Sequence, residues 1–549
     1  MKKGILLVLL LLALVAGGLW YTLPKAPKVE TVTNSESQVV LATADGLHVY
    51  PVTSDQFNAL KEGYAPLNIL RTYHIYGTYD QDADIVSIAT RDHLIRIDMA
   101  YQTASDFGGG ITYGAPKVVD GMTMIPLEAY GQRLNLVQAV NEDQQTIFLK
   151  HNKEPYYLTE AKGEVTLYPQ PESLLMKLAD LSPETKLIKG QVKENRVQVL
   201  TTAYELGWVD SDKLTEAQLN GQPRPVEVPM EEPILLTWDI YATAKNAKNI
   251  PQLKGVNVVS PTWYALKDDQ GNISSKANQT YRDWARERGY QVWALVSNDF
   301  DIDRTRAFLY NTGARKNFIK SIVQEVDTYG FEGINIDFEN VYKDDKDALT
   351  QFVAELSAVL RQKGVIVSMD VTVMGGSDNW SKSFDRAALG HVVDYLAIMT
   401  YDEHWASSPT SGSVSSYNWM KKHLEQIAEI VPKEKMLMGV PFYMRMWKET
   451  PSDTKVNTMS VKSAAFGMER AQEIIQEKNL NLIWDDTAKQ YYAGWIEDGT
   501  LKKIWFEEAR SIEAKASLYK DLDLAGIAAW RRGFETPDIW DVLYEVMEK

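Results

Sequence analysis

The segment Tyr329-Gly330-Phe331-Glu332-Gly333-Ile334-Asn335-Ile336-Asp337-Phe338-Glu339 concentrates the chain's chemically capable side chains. On a strand, side chains alternate between faces, so Asn335, Asp337 and Glu339 share one side while Ile334, Ile336 and Phe338 share the other. Helical patterns flank the segment at 317–329 and 346–363. A strand set between such helices belongs to a parallel sheet covered on both faces, and its polar side must then line an enclosed interior. Two carboxyls and an amide are costly to bury unless they are used. Closed barrels of this type carry their reactive groups at the C-terminal ends of the strands. A solvent-facing edge strand would give the same alternation, but the flanking helices argue against it.

These residues carry a family resemblance. Phe331 to Glu339 resembles the Asp-Gly-x-Asp-x-Asp-x-Glu signature of glycoside hydrolase family 18, the chitinase-like family. Asp337 and Glu339 match it, whereas Glu332 and Asn335 stand where the signature has aspartates. The asparagine is similar to the spore and cell-wall branch, the spore cortex-lytic N-acetylglucosaminidases. Ala397-Ile398-Met399-Thr400-Tyr401-Asp402 resembles the Met-x-Tyr-Asp motif of the sixth strand. Ile504 to Ile512 followed by Lys515 resembles the stretch before the last strand, and Gly526-Ile527-Ala528-Ala529-Trp530 resembles that strand itself.

Spacing and resemblance point to one mechanism. Retaining glycosidases usually place two carboxyls ~5 Å apart across the scissile bond, and inverting ones ~6.5–9.5 Å apart. Asp337 and Glu339 lie roughly 6.6 Å apart between Cα atoms and project in parallel, so they do not easily flank a sugar from opposite sides. The resemblance implies that the substrate's own 2-acetamido group is the nucleophile. Glu339 is then general acid and later base, and Asp337 hydrogen-bonds the acetamido N–H and stabilises the oxazolinium charge. An ionised Asp337 also keeps Glu339 protonated. Tyr401 would donate to the acetamido carbonyl, Asp402 would bind sugar hydroxyls, and Trp530 would form the floor under the acetamido methyl. Asn335 is expected to orient Asp337 by a hydrogen bond and to contact the substrate. Trp263, Tyr264, Trp293, Tyr443, Arg445 and Trp484 are further candidates for the sugar cleft, although any one such residue is more often packing than ligand contact. No cofactor is implied, and His74, His93 and His151 lack metal-ligand spacing.

The elements that must hold these residues follow from texture. From Ile234 apolar strands alternate with amphipathic helices. Eight strands are expected, at Ile234–Asp239, Val256–Ser260, Gln291–Ser297, Gly333–Glu339, Val365–Val371, Val393–Asp402, Met436–Pro441 and Ala525–Arg531. The fold class is therefore α/β, a (β/α)8 TIM barrel over 234–549, with a small α+β insertion at about 444–524. Residues 41–152 resemble the small α+β module named after the N-terminal domain of copper amine oxidases. Residues 153–218, ending near Gly207-Trp208-Val209, resemble a bacterial SH3-like β-barrel that either contacts wall polymers or acts as a spacer. Stretches 24–40 and 219–233, rich in Pro and charged residues, read as linkers.

Bulk properties narrow the partners. The formal charge of −16, with no basic tract, argues against nucleic acid. The absence of cysteine removes disulfides, thiolate metal sites and a cysteine nucleophile. Lys2 and Lys3 precede an apolar run to Leu23 that ends in Trp20 and Tyr21. Its length suits an uncleaved anchor better than a cleaved signal, and would place the rest of the chain on the extracellular face of the membrane or in the wall. The expected partner is a GlcNAc-containing polysaccharide, peptidoglycan first and chitin second. A non-catalytic sugar-binding protein is the reading from another class, and the presence of Glu339 speaks against it.

Overall fold

The structure is a computed structural model that describes residues 30–31, 36–222, 225–240, 242–243, 250–451 and 459–548. The expected anchor at 1–23 and much of the first linker lie outside the described residues. Among the described residues no helix is long and apolar enough to cross a membrane.

The chain divides into two compact units, one of residues up to 69 with 117–224, the other of 70–116 with 225–549. In the first unit, a sheet with strands Gln38–Thr43 and Gly46–Pro51 at one side pairs with Thr146–His151 and Leu136–Asn141. A second sheet, antiparallel and five-stranded, contains Tyr156–Glu160, Lys186–Lys193, Arg196–Thr201, Leu206–Asp210 and Gln218–Asn220. Alternation along Arg196–Thr201 and Leu206–Asp210 places Val197, Val199 and Val209 in a small core with Leu167 and Leu187.

The second unit contains the barrel. Its strands are β1 (Ile234–Asp239), β2 (Val258–Leu266), β3 (Gln291–Ser297), β4 (Gly333–Asp337), β5 (Ile366–Thr372), β6 (Tyr395–Met399), β7 (Met436–Pro441) and β8 (Gly526–Trp530). All neighbours are parallel, and β1 pairs with both β2 and β8, which closes the ring. All eight expected strands are present, with ends shifted by up to six residues, the largest shift being β2, which runs on to Leu266. Parity divides the apolar residues into two layers. Ile234, Leu236, Trp238, Trp293, Leu295, Tyr395 and Leu437 cluster inside the barrel. Ile334, Ile336 and Phe338 join the outer core, where Phe338 meets Phe308, Phe318 and Phe352 of the surrounding helices. Gly333 is required by close approach, because a Cβ there would sit 2.5 Å from the Trp293 ring.

Between β7 and β8 lies an antiparallel sheet ordered Met459–Gly467, Tyr443–Pro451, Thr500–Phe506, Gln490–Glu497, Ile483–Asp485, with helix Met468–Lys478. The stretch after it is structural. Glu507 and Lys515 form a fully buried ion pair, and Glu507 also accepts from Ser511 and Gln490, tying the insertion to helix Ala509–Ala516.

Two boundaries differ from the sequence reading. Residues 70–116 group with the barrel unit rather than with the rest of 41–152. Their antiparallel sheet, which includes Tyr76–Asp80, Ile85–Ala89 and Leu94–Asp98, adds Tyr76, Ala89 and Leu94 to the outer barrel core. Arg96 reaches Glu355 on helix Lys346–Gln362, where Glu355 also pairs with the buried Arg315. The helix has a second apolar face, and this sheet covers it. The expected linker 219–233 is also partly packed: Val228 and Met230 contact the barrel's inner cluster, and the Met230 N–H donates to the Tyr395 hydroxyl at 3.0 Å.

Candidate active site

The polar face of β4 points inward. Asn335 is fully buried, and its amide oxygen accepts from the Trp238 indole N–H on β1 (2.8 Å) and the Ser260 hydroxyl on β2 (3.1 Å). Its amide nitrogen donates to the Ser368 hydroxyl (3.1 Å) and to Asp370 Oδ1 (2.8 Å), both on β5. An asparagine amide has two acceptor and two donor positions, and all four are used. The indole N–H can only donate, which fixes which amide atom is oxygen. Two expectations for Asn335 are therefore corrected: it does not hydrogen-bond Asp337, and it has no position left for a sugar. It is a hub between strands.

Asp337 ends β4, 8% exposed, and its carboxylate has no hydrogen-bond partner among the described residues. Burial pushes its pKa up to about 7. Glu339 follows, half-buried, and burial raises its carboxyl well above the ordinary range, with the charges of Asp337 and Asp402 acting in the same direction. Asn298, in the loop after β3, clasps the Glu339 backbone: it accepts from the N–H (3.1 Å) and donates to the carbonyl (2.6 Å).

Asp370 was not legible as a site residue. It is 2% exposed, and burial and then the charge of Asp337 drive its pKa well up, against the hydrogen bond from Asn335. Tyr401, after β6, is close enough for Asp370, Glu339 and Asp337 to raise its phenol further, beyond the effect of burial itself. Room for its ring comes from Gly439 on β7, where a Cβ would lie 3.0 Å from the ring edge. Asp402 adopts φ 58° and accepts from the Tyr443 hydroxyl at 2.6 Å, with Arg445 3.7 Å away. Trp530, half-buried at the end of β8, meets the ring of Trp238 edge-on at 5.7 Å, the same indole that binds Asn335. Asp337, Glu339, Tyr401, Asp402 and Trp530 thus sit at or just beyond the C-terminal ends of barrel strands, and Tyr443 and Arg445 open the insertion strand that follows β7.

Four aromatic candidates fall elsewhere. Trp263 is 2% exposed, donates to the Ala242 carbonyl and packs against Tyr281, Tyr329 and Phe331 in the outer core. Tyr264 is likewise buried and donates to Glu325. β2 runs on past the inward-facing Ser260, alternation from there places Trp263 outward, and a register irregularity between Thr262 and Tyr264 accompanies the outward placing of Tyr264 as well. Trp293 is inside the barrel but fully buried, stacked on Tyr395. Trp484 lies on the edge strand of the insertion sheet, three strands or roughly 14 Å from the strand bearing Tyr443. Its ring is covered by the Arg510 guanidinium at 3.7 Å. Exposed aromatics on the loops after the strands were missed: Phe300, Trp380 and Trp405, with Phe300 and Trp380 6.1 Å apart. Exposure, which marks them out, is not encoded locally.

Glu332, the other departure from the signature, sits at the opposite end of β4. It takes the Arg282 guanidinium (2.8 Å) and the Val292 N–H (2.9 Å), a structural role that either acid could fill. The arrangement as a whole can protonate a leaving oxygen from Glu339, while Asp337 and Tyr401 offer an anion and a hydroxyl to a polar substituent nearby.

The sequence profile of glycosyl hydrolases family 18 matches residues 237–535. The uncharacterized glycosylase YvbX of Bacillus subtilis is 25% identical over 300 residues, covering 52% of this chain and 84% of that one. The cortical fragment-lytic enzyme of Bacillus anthracis is 28% identical over 255 residues, covering 46% of this chain and 58% of that one. The chain thus spans little more than half of that relative's length. Among solved structures, the Bacillus cereus spore cortex-lytic enzyme SleL shares the fold, with a TM-score of 0.51 at 23% identity over 60% of this chain and 77% of that one.

Proposed function

The chain belongs to glycosyl hydrolases family 18 and is a glycosidase, and from that premise we propose that it cleaves β-1,4 bonds following N-acetylglucosamine in peptidoglycan, with retention and with the substrate's acetamido group as nucleophile. Glu339 protonates the glycosidic oxygen while the acetamido oxygen attacks the anomeric carbon. Asp337, as the anion, accepts from the acetamido N–H and stabilises the oxazolinium positive charge. Tyr401 donates to the acetamido oxygen, and Trp530 lies under the methyl group. Water, deprotonated by Glu339, then opens the oxazolinium. The observation carrying this reading is the placing of Glu339 and a buried Asp337 side by side on one strand face, where burial holds both carboxyls above the ordinary range.

Similarity to a cortical fragment-lytic enzyme supports peptidoglycan as the polymer. The N-terminal apolar run supports action outside the cytoplasmic membrane, and the 153–218 module would contact wall polymers there if it is SH3-like. Chitin presents the same acetamido group and is the competing substrate. Incubating the protein and its Glu339→Gln variant with peptidoglycan and with chitin oligosaccharides, followed by reducing-end and mass analysis, tests both. New N-acetylglucosamine reducing ends from peptidoglycan are expected, and the variant should release none. Products from chitin alone would transfer the assignment to chitin, and equal release by the variant would remove Glu339 from the mechanism.

A further inference from the structure

β4 and β5 are paired in register, with Asn335 opposite Ser368 and Ile336 opposite Met369. The next position along that register brings Asp337 beside Asp370. Adjacent strands are about 4.8 Å apart, and both residues face inward, since Ser368 and Asp370 each meet Asn335 from that side. The interior of β4 and β5 therefore contains two neighbouring carboxyls, each less than a tenth exposed. Two carboxylates that close in a desolvated site do not both ionise, so one of the two keeps a proton. Asn335 decides which oxygen can hold it. Asp370 Oδ1 accepts the Asn335 N–H, and the Asn335 amide cannot turn over because Trp238 and Ser260 donate to its oxygen.

We propose that Asp370 is a positioning residue that remains a neutral carboxylic acid, its proton on Oδ2 and directed at Asp337, so that Asp337 is the anion when the oxazolinium forms. The inference rests on the reading of Asp337 given above. It also accounts for Asn335: the carboxyl that the family signature places on β4 has moved to β5, and the amide left behind orients it. Hydrogen bonds from Asn335 and the Trp238 indole favour the charged form of Asp370, and burial together with the neighbouring carboxyls outweighs them. Asp337 and Glu339 from β4 both disfavour its ionised form, and the Tyr401 phenol responds to it in turn.

A neutral acid in this position has a close structural substitute. Asparagine presents one oxygen to accept from Asn335 and one N–H to donate to Asp337, so Asp370→Asn should work where Asp370→Ala does not. For Asp370→Ala, kcat/KM at neutral pH is expected to fall at least ~10-fold, and the acid limb of its pH profile should move up by about one unit as Asp337 loses its donor. Asp370→Asn should recover most of that loss and return the limb towards its original position. If Asp370→Asn is as damaged as Asp370→Ala, or does not fold, Asp370 acts as an anion and the proposal is wrong. An acid limb unmoved in Asp370→Ala would equally break the link to Asp337.

A second measurement needs no substrate. In a Glu339→Gln background, the difference infrared spectrum between Asp370 and Asp370→Asn should contain a protonated-carboxyl C=O band at neutral pH; a carboxylate band instead contradicts the proposal. If the unaltered protein hydrolyses no N-acetylglucosamine polymer, the proposed function fails, and the infrared result still decides the protonation of Asp370.

Discussion

Asn298 holds Glu339 by the main chain rather than by its carboxyl, accepting from its N–H at 3.1 Å and donating to its carbonyl at 2.6 Å. The same amide donates to Thr305, and Asn298 is fully buried, so the loop after β3 and the end of β4 are locked together. This leaves the Glu339 carboxyl free while fixing where it starts. Precision of this kind matters because a displacement of ~1 Å can cost about 100-fold in rate.

Asn298→Ala should therefore lower kcat by roughly 10- to 100-fold with little change in KM. It should also destabilise the fold by about 1–3 kcal/mol, since two backbone groups lose a buried partner. Steady-state kinetics with urea unfolding would test this, and a variant with unchanged kcat would show that Glu339 is held by other means.

The pH profile of kcat/KM should be bell-shaped. Hydrolysis needs Asp337 ionised and Glu339 protonated. Because burial raises Asp337 to about 7, the acid limb should fall near neutrality rather than near pH 4, and the raised Glu339 sets a basic limb above it. An acid limb in the ordinary carboxylate range would mean that Asp337 is more solvated than its burial implies.

Stability should run the other way. Folded Asp337 keeps its proton over a range where the unfolded chain has released it, so its contribution is fully present below about pH 4 and is lost as pH rises through about 7. Asp337→Asn removes that penalty. It should be more stable than the parent at pH ~8, by order 2–4 kcal/mol, and the advantage should vanish towards pH ~4. Urea unfolding at both pH values checks the sign, and a variant less stable at the higher pH would reverse it.

Two tryptophans should separate function from packing. Trp530→Ala removes a half-buried ring at the end of β8 and should lower kcat/KM at least ~10-fold with a modest loss of stability. Trp263→Ala empties a site in the outer core and should cost about 3–5 kcal/mol. Its kcat/KM, measured well below the melting range, should change far less than that of Trp530→Ala. The opposite ranking would return Trp263 to the cleft.

Asp337 and Glu339 could be placed on one interior face from local evidence, whereas Tyr401, Asp402 and Trp530 were singled out by family resemblance. Period-two alternation along β4 sets which face Asp337 occupies, and the flanking helices show that this face is interior. Asp370, in Val365 to Val371, carried no such mark, because one acid in an apolar run has no meaning until its neighbour strand and register are known. Trp263 failed because β2 continues to Leu266 beyond the strand expected at 256–260, and alternation from the inward-facing Ser260 puts Trp263 on the outer side.

The order of residues by itself determined eight strands, a polar face on the fourth and the acid at its end, since each follows from backbone periodicity over a few residues. Only the tertiary structure decided that Asn335 serves Asp370 instead of Asp337, that Asn298 anchors Glu339, and that residues 70–116 cover a barrel helix. Those are contacts between segments separated by tens to hundreds of positions, made by strand register and side-chain packing, and no local pattern encodes them.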